Sequence, residues 1–421
     1  MFSIYIFYSI SMARGVVLGL DVGTSMVHTV IAEFLQGAEA RILGIGIAPA
    51  AGIRRGMVID LEEATNSIQK SIAEAILEAK VTPRSAYVAV GGPHLSISSS
   101  RGVVAVSRAD GDISEEDVKR VLNAAEAFVP KNHNREIIHI IPREFRVDND
   151  GGIKDPVGMN GVRLEVDAII IDAAVSAIKN LTKCIEGAGM RVRECVFAPL
   201  ASAEAVLSKR QKELGVLLVD IGAGTTNFAV FEEGRLMHAG GFPYGASHIT
   251  NDIAIVLRTA VDVAERIKIK YGHALSDEVG KKEMIRLSEF MPGDEEVVPR
   301  REIAEIIEAR FDDIFELIQK ELKKINRAQL LPAGAILIGG GARIPGVVDL
   351  AKRELRLPAA LGDLQLAASQ IHERDRQTLA TAVGLTEWGR LRESGEMSLA
   401  PDIHEPKAPT WLRKLYSLFF P

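Results

Sequence analysis

The feature that most constrains this chain is an internal repeat of one strand–turn–strand unit. In the first copy an apolar strand at residues 16–20 leads into a turn at 21–25 and then into a second β-rich run. In the second copy the strand is at 216–219, the turn is at 220–226, and a β-rich run again follows. Such self-similarity indicates two related halves, each built around its own buried strand.

Both turns have the residue types of a phosphate-binding loop. Glycine lets backbone N–H groups approach phosphate oxygens, and threonine or serine adds a hydroxyl donor. The candidate phosphate-binding residues are Gly23, Thr24 and Ser25 in the first turn, and Gly222, Gly224, Thr225 and Thr226 in the second. The carboxylates of Asp21 and Asp220 require Mg²⁺ with its water shell between themselves and an anionic phosphate. An Asp-Gly turn also closes ordinary hairpins, so it is the matched strand context that favours phosphate binding.

A third glycine cluster follows another apolar strand, at residues 335–338, and precedes an apolar-periodic helix at 345–355. A turn of this kind lets a flat adenine ring lie against the backbone, although a plain strand-to-helix turn has the same pattern. Together the three turns predict a cleft that binds ATP with Mg²⁺. The third turn contributes Gly339, Gly340, Gly341 and Arg343.

Composition excludes several classes of protein. The chain has 421 residues, 47% of them hydrophobic and 25% charged, with a formal net charge of -6, which indicates several globular domains and no nucleic-acid partner. Cys184 and Cys195 lack the spacing of a zinc site or a disulfide framework, so we expect two packed thiols. Residues 1–12 are apolar without the basic leader of a signal peptide. We expect them to be a doubtful extension, with translation starting at Met1 or at Met12.

The three motifs, in this order, resemble the ATPase superfamily of actin, the heat-shock chaperones and the sugar kinases. That resemblance implies two lobes that clamp ATP between them. It extends to residues 264–268 and implies that Glu265 and Lys268 flank the adenosine, whereas their spacing alone is that of an ordinary i,i+3 surface pair.

Within this superfamily the chain is most similar to the FtsA family of bacterial cell-division actin homologues, from about residue 15 to the last residue. The segments that carry the resemblance are residues 52–60, 153–159, 199–204, 248–254 and 380–385. The second phosphate loop departs from the family, which more often has glycine at the position of Ala223 and aspartate at that of Asn227. The methyl group of Ala223 narrows that turn.

The predicted fold is therefore α/β: an actin-like two-lobed ATPase fold with an FtsA-type inserted subdomain, a flexible linker and a C-terminal amphipathic helix. In the inserted segment we expect a helix opening at Ser114, with an apolar stripe of Val118, Val121, Leu122 and Ala125. The expected boundaries are 13–85, 175–203 and 375–390 for the first lobe, 86–174 for the insertion, 204–253 and 329–374 for the second lobe, 254–328 for its small subdomain, 391–409 for the linker and 410–421 for the terminal helix.

The C-terminal segment has the pattern of a tethered membrane-binding helix. Residues 391–409 are rich in Glu, Ser and Pro, which is typical of a disordered linker. An apolar, aromatic face and a basic edge then follow, which suits the headgroup region of an anionic bilayer, although docking on the protein's own core remains an alternative. The candidate membrane-contacting residues are Trp411, Leu412, Arg413, Lys414, Leu415, Leu418, Phe419 and Phe420.

The family resemblance implies a cell-division protein that polymerises at the cytoplasmic face of the inner membrane at the division site. It implies that the terminal helix anchors the FtsZ ring, that the C-terminal peptide of FtsZ contacts Arg301 and Arg310, and that the insertion takes part in filament contacts and recruits later division proteins. By the same resemblance Glu204 is the candidate for orienting an attacking water, in what is at most a slow ATPase. Two other functions remain open: a type IV pilus assembly ATPase with the same insertion, and a small-molecule kinase of the superfamily.

Overall fold

The structure is a computed structural model that describes residues 15–34, 40–129, 134–291, 293, 295–365 and 367–396. It divides into two compact units, one containing the chain up to Ser96 and from Ala173 to Ser394, the other containing Ile97–Asp172. The predicted extension at 1–12, the linker beyond residue 396 and the terminal helix at 410–421 lie outside the described residues.

The described residues form both strands and helices. In chain order the strands are β1 Gly15–Val22, β2 Met26–Phe34, β3 Arg41–Pro49, β4 Ile53–Arg54, β5 Met57–Val58, β6 Ser85–Val90, β7 Leu95–Ala105, β8 Arg135–Val147, β9 Asp150–Ile153, β10 Arg163–Ala174, β11 Arg191–Phe197, β12 Val216–Ile221, β13 Thr226–Glu232, β14 Arg235–Phe242, β15 Met284–Arg286, β16 Val297–Pro299, β17 Ala335–Ile338 and β18 Ala359–Leu361. The α-helices are α1 Leu61–Ala79, α2 Glu115–Ala127, α3 Val175–Gly187, α4 Ala198–Val206, α5 Lys209–Leu214, α6 Ala246–Val256, α7 Val261–Tyr271, α8 Arg300–Lys324, α9 Val347–Leu355 and α10 Arg376–Glu393.

The first unit contains two five-stranded sheets of the same plan. Their strand orders are β3-β2-β1-β6-β11 and β14-β13-β12-β17-β18. In the first sheet β1 pairs antiparallel with β2 and parallel with β6, and in the second β12 pairs in the same way with β13 and β17. The side chains of β12 from Val216 to Val219 are fully buried, as expected for a strand covered on both faces. The repeat in the sequence is therefore a repeat of one sheet topology.

Two buried helices, α4 and α10, join the two sheets of this unit. Each packs against strands of both sheets, and the helices also pack against each other. At their crossing a Cβ on Gly384 would lie 1.9 Å from the carbonyl oxygen of Ala201, so only glycine allows this approach. The hydroxyl oxygens of Ser202 and Thr381 lie 2.9 Å apart across the same contact.

Helix α10 extends beyond the expected end of the first lobe at residue 390. It continues through Glu393, so the first three residues of the expected linker are helical. Two hydrogen bonds to Glu194 support this last turn, from Trp388 Nε1 at 3.3 Å and from Arg392 Nε at 3.1 Å.

The second unit is a small α/β module whose sheet has the order β7-β10-β8-β9. The predicted helix is confirmed: Ser114 caps α2, and its apolar stripe packs into the core of the module. The strand at 86–90 that the sequence placed in the insertion is part of β6, which pairs with β1 and β11 in the first sheet. Its side chains from Ala86 to Val90 are buried, which is why this strand belongs to a sheet interior.

Two further observations concern the described part of the chain. No helix there combines the length and apolar character that crossing a bilayer requires. Cys184 and Cys195 are both buried, as the sequence predicted for packed thiols.

Candidate functional site

The first predicted phosphate loop is the tight turn between β1 and β2. The backbone N–H of Gly23 donates to the carbonyl oxygen of Met26 at 3.1 Å. A Cβ on Gly23 would lie 2.7 Å from that oxygen, so the turn requires glycine. The Thr24 hydroxyl accepts a hydrogen bond of 3.2 Å from the backbone N–H of Gly56.

The second loop connects β12 to β13 with the same geometry. Gly222 N–H donates to Thr225 O at 2.9 Å. The start of α6 packs against this loop. The N–H groups of Ala246 and Ser247 donate to the carbonyl oxygens of Gly222 and Ala223 at 2.9 and 2.8 Å, respectively. These contacts occupy the loop carbonyls, which leaves the N–H groups of the loop other than that of Gly222 as the backbone groups that could face a phosphate.

The third glycine turn follows β17 and lies directly against the second loop. Gly339 has a φ of +86°, and a Cβ there would lie 2.4 Å from Asp220 Oδ1. A side chain at this position would therefore both strain the backbone and displace the carboxylate. The next residue, Gly340, has open space around its Cα.

The three turns open into one cavity of about 740 Å³ within the first unit. Its volume is in the range of small-molecule and cofactor sites. Of the residues predicted to bind the nucleotide, the cavity is lined by Asp21, Gly23, Thr24, Ser25, Asp220, Gly222, Gly224, Thr225, Glu265, Lys268, Gly339, Gly340, Gly341 and Arg343.

The two aspartates bring two carboxyl groups into this cavity. Burial, together with the negative charge of Asp21, raises the pKa of Asp220 to about 7. His28 lies opposite Asp21 in the β1–β2 ladder, with Nδ1 at 3.7 Å from Asp21 Oδ2. Among the described residues no group of three or more His, Cys, Asp or Glu side chains is placed to hold a metal. A cation here would therefore need phosphate and water oxygens to complete its shell, which is how Mg²⁺ usually binds.

Helices α6 and α7 supply a second polar cluster at the cavity wall. Lys268 Nζ donates to Glu265 Oε2 at 2.6 Å, to Thr250 Oγ1 at 2.8 Å and to Ala246 O at 3.2 Å. Thr250 also donates to Glu265. Burial lowers the pKa of Lys268, and the hydrogen bond and charge of Glu265 partly oppose this. Glu265 and Lys268 thus form a fixed, internally satisfied pair rather than two free surface charges.

Two predicted residues do not reach the cavity. Thr226 is fully buried and donates to Tyr244 O at 2.9 Å. Its neighbours Thr225 and Asn227 line the cavity, and adjacent side chains along a strand point to opposite faces. Glu204 is paired with Lys212 Nζ at 2.9 Å. Only the start of α4, at Ala198, lines the cavity, and six residues of helix place Glu204 about 9 Å further along the axis.

The predicted FtsZ-contacting arginines lie on α8, away from the cavity lining. Arg301 pairs with Asp277 at 2.6 Å and with Glu305 at 3.2 Å. Arg310 pairs with Asp252 of α6 at 2.8 Å. Both side chains keep about a quarter to a third of their surface exposed, at 30% and 25%.

The structure adds lining residues that the motifs did not reveal. They come from the turn after β6, from β2 and β13, and from the start of α10: Gly91, His28, Asn227, Gln377, Thr378 and Thr381. Gly91 could have been predicted from the repeat. Strand β6 has the same place in the first sheet as β17 in the second, and both strands are followed by glycines.

Comparisons with protein families agree with this architecture. A family model described as cell division protein FtsA matches residues 217–384. A second one, described as the SHS2 domain inserted in FTSA, matches residues 92–172.

Individual relatives match over nearly the whole chain. Cell division protein FtsA of Pseudomonas aeruginosa is 36% identical over 93% of this chain and 95% of its own length. The protein of the same name from Bacillus subtilis is 37% identical over 88% and 82%, respectively. That from Escherichia coli K12 is 32% identical over 96% and 97%.

Solved structures show the same fold at low sequence identity. A chain of a PilM-PilN type IV pilus biogenesis complex superposes with a TM-score of 0.65 at 18% identity, covering 89% of this chain and 98% of that one. MreB5 of Spiroplasma citri bound to ADP gives 0.52 at 13% identity, covering 90% and 98%. These comparisons confirm the predicted actin-like α/β fold with its inserted subdomain.

Proposed function

This chain belongs to the FtsA family of cell division proteins, and from that premise we propose that it binds ATP with Mg²⁺ and polymerises at the cytoplasmic face of the membrane. In this proposal its C-terminal amphipathic helix anchors FtsZ polymers at the division site. The inserted module, Ile97–Asp172, is the surface that contacts neighbouring subunits and later division proteins.

The observation that carries the nucleotide part is the convergence of three glycine turns on one cavity. The two loops offer N–H groups and threonine hydroxyls to the phosphates, and Asp21 and Asp220 supply the negative charge for a cation. When bound, Mg²⁺ would be held near Asp21 and Asp220 through its water shell and would neutralise phosphate charge. Glu265 and Lys268, fixed by Thr250, border the nucleoside end.

The arrangement favours ATP as a ligand that controls assembly over ATP as a rapidly consumed substrate. The candidate for orienting water, Glu204, is engaged by Lys212 and does not line the cavity. Positioning and Mg²⁺ alone support slow phosphoryl transfer. We therefore expect turnover far below the 1–100 s⁻¹ that is roughly typical of kinases.

The test combines nucleotide binding with membrane binding. Wild-type protein should bind Mg·ATP in calorimetry and pellet with anionic vesicles, and pelleting should increase with ATP. Asp220→Ala should lose most Mg·ATP binding. Deletion of residues 411–421 should abolish pelleting while leaving Mg·ATP binding intact. Full pelleting of the truncated protein would show that the tail is not the anchor, and absence of Mg·ATP binding by the wild type would overturn the nucleotide assignment.

The proposed FtsZ contact is tested by charge reversal on α8. Arg310→Glu should reduce co-sedimentation with FtsZ polymers if Arg310 binds an acidic peptide. Arg327→Glu is the matched control, because Arg327 is also partly exposed and also pairs with a carboxylate from another element, Glu232, at 2.8 Å. Equal losses in both variants would indicate general destabilisation and contradict a specific contact.

A further inference from the structure

Asn227 makes a buried hydrogen bond between the two halves of the first unit. It is the second residue of β13, directly after the second phosphate loop, and only 5% of its surface is exposed. Its Oδ1 accepts a hydrogen bond of 2.9 Å from the backbone N–H of Gly92, in the turn after β6 of the other sheet. Both Asn227 and the neighbouring Gly91 line the cavity.

Gly92 lies close both to the second phosphate loop and to the β4–β5 turn that contacts the first loop. Its φ is +111°, and a Cβ there would lie 3.1 Å from Arg55 O and 3.2 Å from Thr225 Cγ2. The residue after Arg55 is Gly56, whose N–H donates to the Thr24 hydroxyl of the first loop. One short path of contacts therefore runs from Thr24 through the turn between β4 and β5 to Gly92, and from there to Asn227 and the second loop.

We propose that Asn227 is a positioning residue of the nucleotide site, whose side-chain amide latches the turn at Gly91 and Gly92 to the second phosphate loop. The latch holds the two loops face to face before the nucleotide arrives. This proposal rests on the function proposed above, since it takes the cavity as the site of Mg·ATP. The amide is neutral, so it fixes the turn without adding a third negative charge beside Asp21 and Asp220.

Loss of the hydrogen bond between Asn227 and Gly92 should weaken nucleotide binding, because the turn at Gly92 would then move more freely in the nucleotide-free protein. Gly92 is buried, so removal of its acceptor leaves a buried N–H unsatisfied and favours movement of the turn. Only the fraction of molecules with both loops in place binds nucleotide at the intrinsic affinity, and the apparent Kd rises as that fraction falls.

The experiment compares three variants by hydrogen exchange of the peptide containing Gly92 and by calorimetry with Mg·ATP. Asn227→Leu has a similar size but no acceptor. We expect about tenfold faster exchange at Gly92 without nucleotide and an apparent Kd higher by about tenfold. Asn227→Asp keeps an oxygen acceptor and should retain slow exchange at Gly92, which separates the hydrogen bond from simple packing.

Thr29→Val is the control for general destabilisation. Thr29 is fully buried and its hydroxyl lies 2.7 Å from that of Ser71, within the first sheet and its helix. Its loss should lower the unfolding temperature without changing exchange at Gly92 or the Kd for Mg·ATP.

The outcomes separate the latch from the nucleotide assignment. Wild-type affinity and unchanged exchange at Gly92 in Asn227→Leu would overturn the latch, and so would equal effects of Thr29→Val. If the wild type binds no Mg·ATP, the proposed nucleotide function fails, whereas protection of Gly92 in the wild type and its loss in Asn227→Leu would still establish the latch.

Discussion

At the scale of single residues, the cavity depends on glycines that bring polar groups closer than any side chain would allow. Gly339 is the clearest case, because a Cβ would meet Asp220 Oδ1 at 2.4 Å and Ile221 O at 2.6 Å. Its positive φ of +86° adds backbone strain for any other residue. Gly340, one position later, has neither constraint.

The pair Gly339→Ala and Gly340→Ala therefore makes a matched test. We expect Gly339→Ala to destabilise the protein by about 2 kcal/mol or more and to weaken Mg·ATP binding, because its φ of +86° and ψ of 171° lie in a region almost confined to glycine and the clash adds to this strain. Gly340→Ala should change both by much less. Thermal unfolding and calorimetry measure the two quantities. Equal behaviour of the two variants would show that the close approach at Gly339 is not needed.

The sequence motifs identified the residues whose type is explained by the proposed phosphate contact. Gly23, Thr24 and Gly224 are of this kind, since a loop around phosphate has room for few other residues. Thr381 carried no such signal, because it reaches the cavity only through the packing of α10. Asn227 directly follows the second loop, but its hydrogen bond to Gly92 in the other half of the unit cannot be read from the loop motif. The side chain of Thr226 points away from the cavity because adjacent side chains alternate between the two faces of a strand, and a loop motif does not contain this information.

At the scale of elements, the start of α2 shows how a local sequence signal becomes a stabilised structure. Asp117 has no exposed surface. Its carboxylate accepts hydrogen bonds from the N–H groups of Ser107 and Ser114, both at 3.0 Å, and from the Ser114 hydroxyl and Arg120. Burial opposes ionisation, but these bonds outweigh it and hold the pKa of Asp117 well below its ordinary value.

A carboxyl group with a lowered pKa in the folded state stabilises that state above its unfolded pKa of about 4, and this contribution is lost as the pH falls below that value. We expect Asp117→Asn to be less stable than wild type by about 2 kcal/mol at pH 7. The difference should shrink as the pH approaches 3. Hydrogen exchange of the α2 amides measures it within the intact protein.

Asp110→Asn is the control, because Asp110 is an exposed carboxylate of the same unit, paired with Arg108 at 2.8 Å. It should leave α2 protection nearly unchanged at both pH values. A constant difference between wild type and Asp117→Asn from pH 7 to 3 would contradict the ionised, hydrogen-bonded carboxylate.

Elements with a strong local pattern could be predicted from the sequence. The sheet or domain to which an element belongs was harder to predict. The cap at Ser114 and the stripe of α2 follow from spacing alone. The assignment of β6 to the first sheet does not, because an apolar strand fits either sheet until its parallel partners are known. Likewise the sequence after residue 390 is polar, yet contacts of Trp388 and Arg392 with Glu194 continue the helix to Glu393.

At the scale of the whole molecule, the proposed function couples a nucleotide-controlled body to a terminal membrane helix. Arg413 and Lys414 should contribute about 1 kcal/mol each near anionic lipid. Ordering about ten residues from coil into helix offsets much of this and of the apolar gain. A single copy should therefore bind a bilayer weakly and reversibly.

Polymerisation changes this balance, because a polymer presents many helices on one surface and raises their effective concentration. We expect the vesicle-bound fraction of the wild type with Mg·ATP to rise steeply over a narrow range of protein concentration. Asp220→Ala should shift that rise to higher concentration, and Trp411→Glu should remove binding at every concentration tested. Sedimentation with anionic and with neutral vesicles measures this. A gradual, single-site binding curve that is the same for wild type and Asp220→Ala would show that attachment does not depend on assembly.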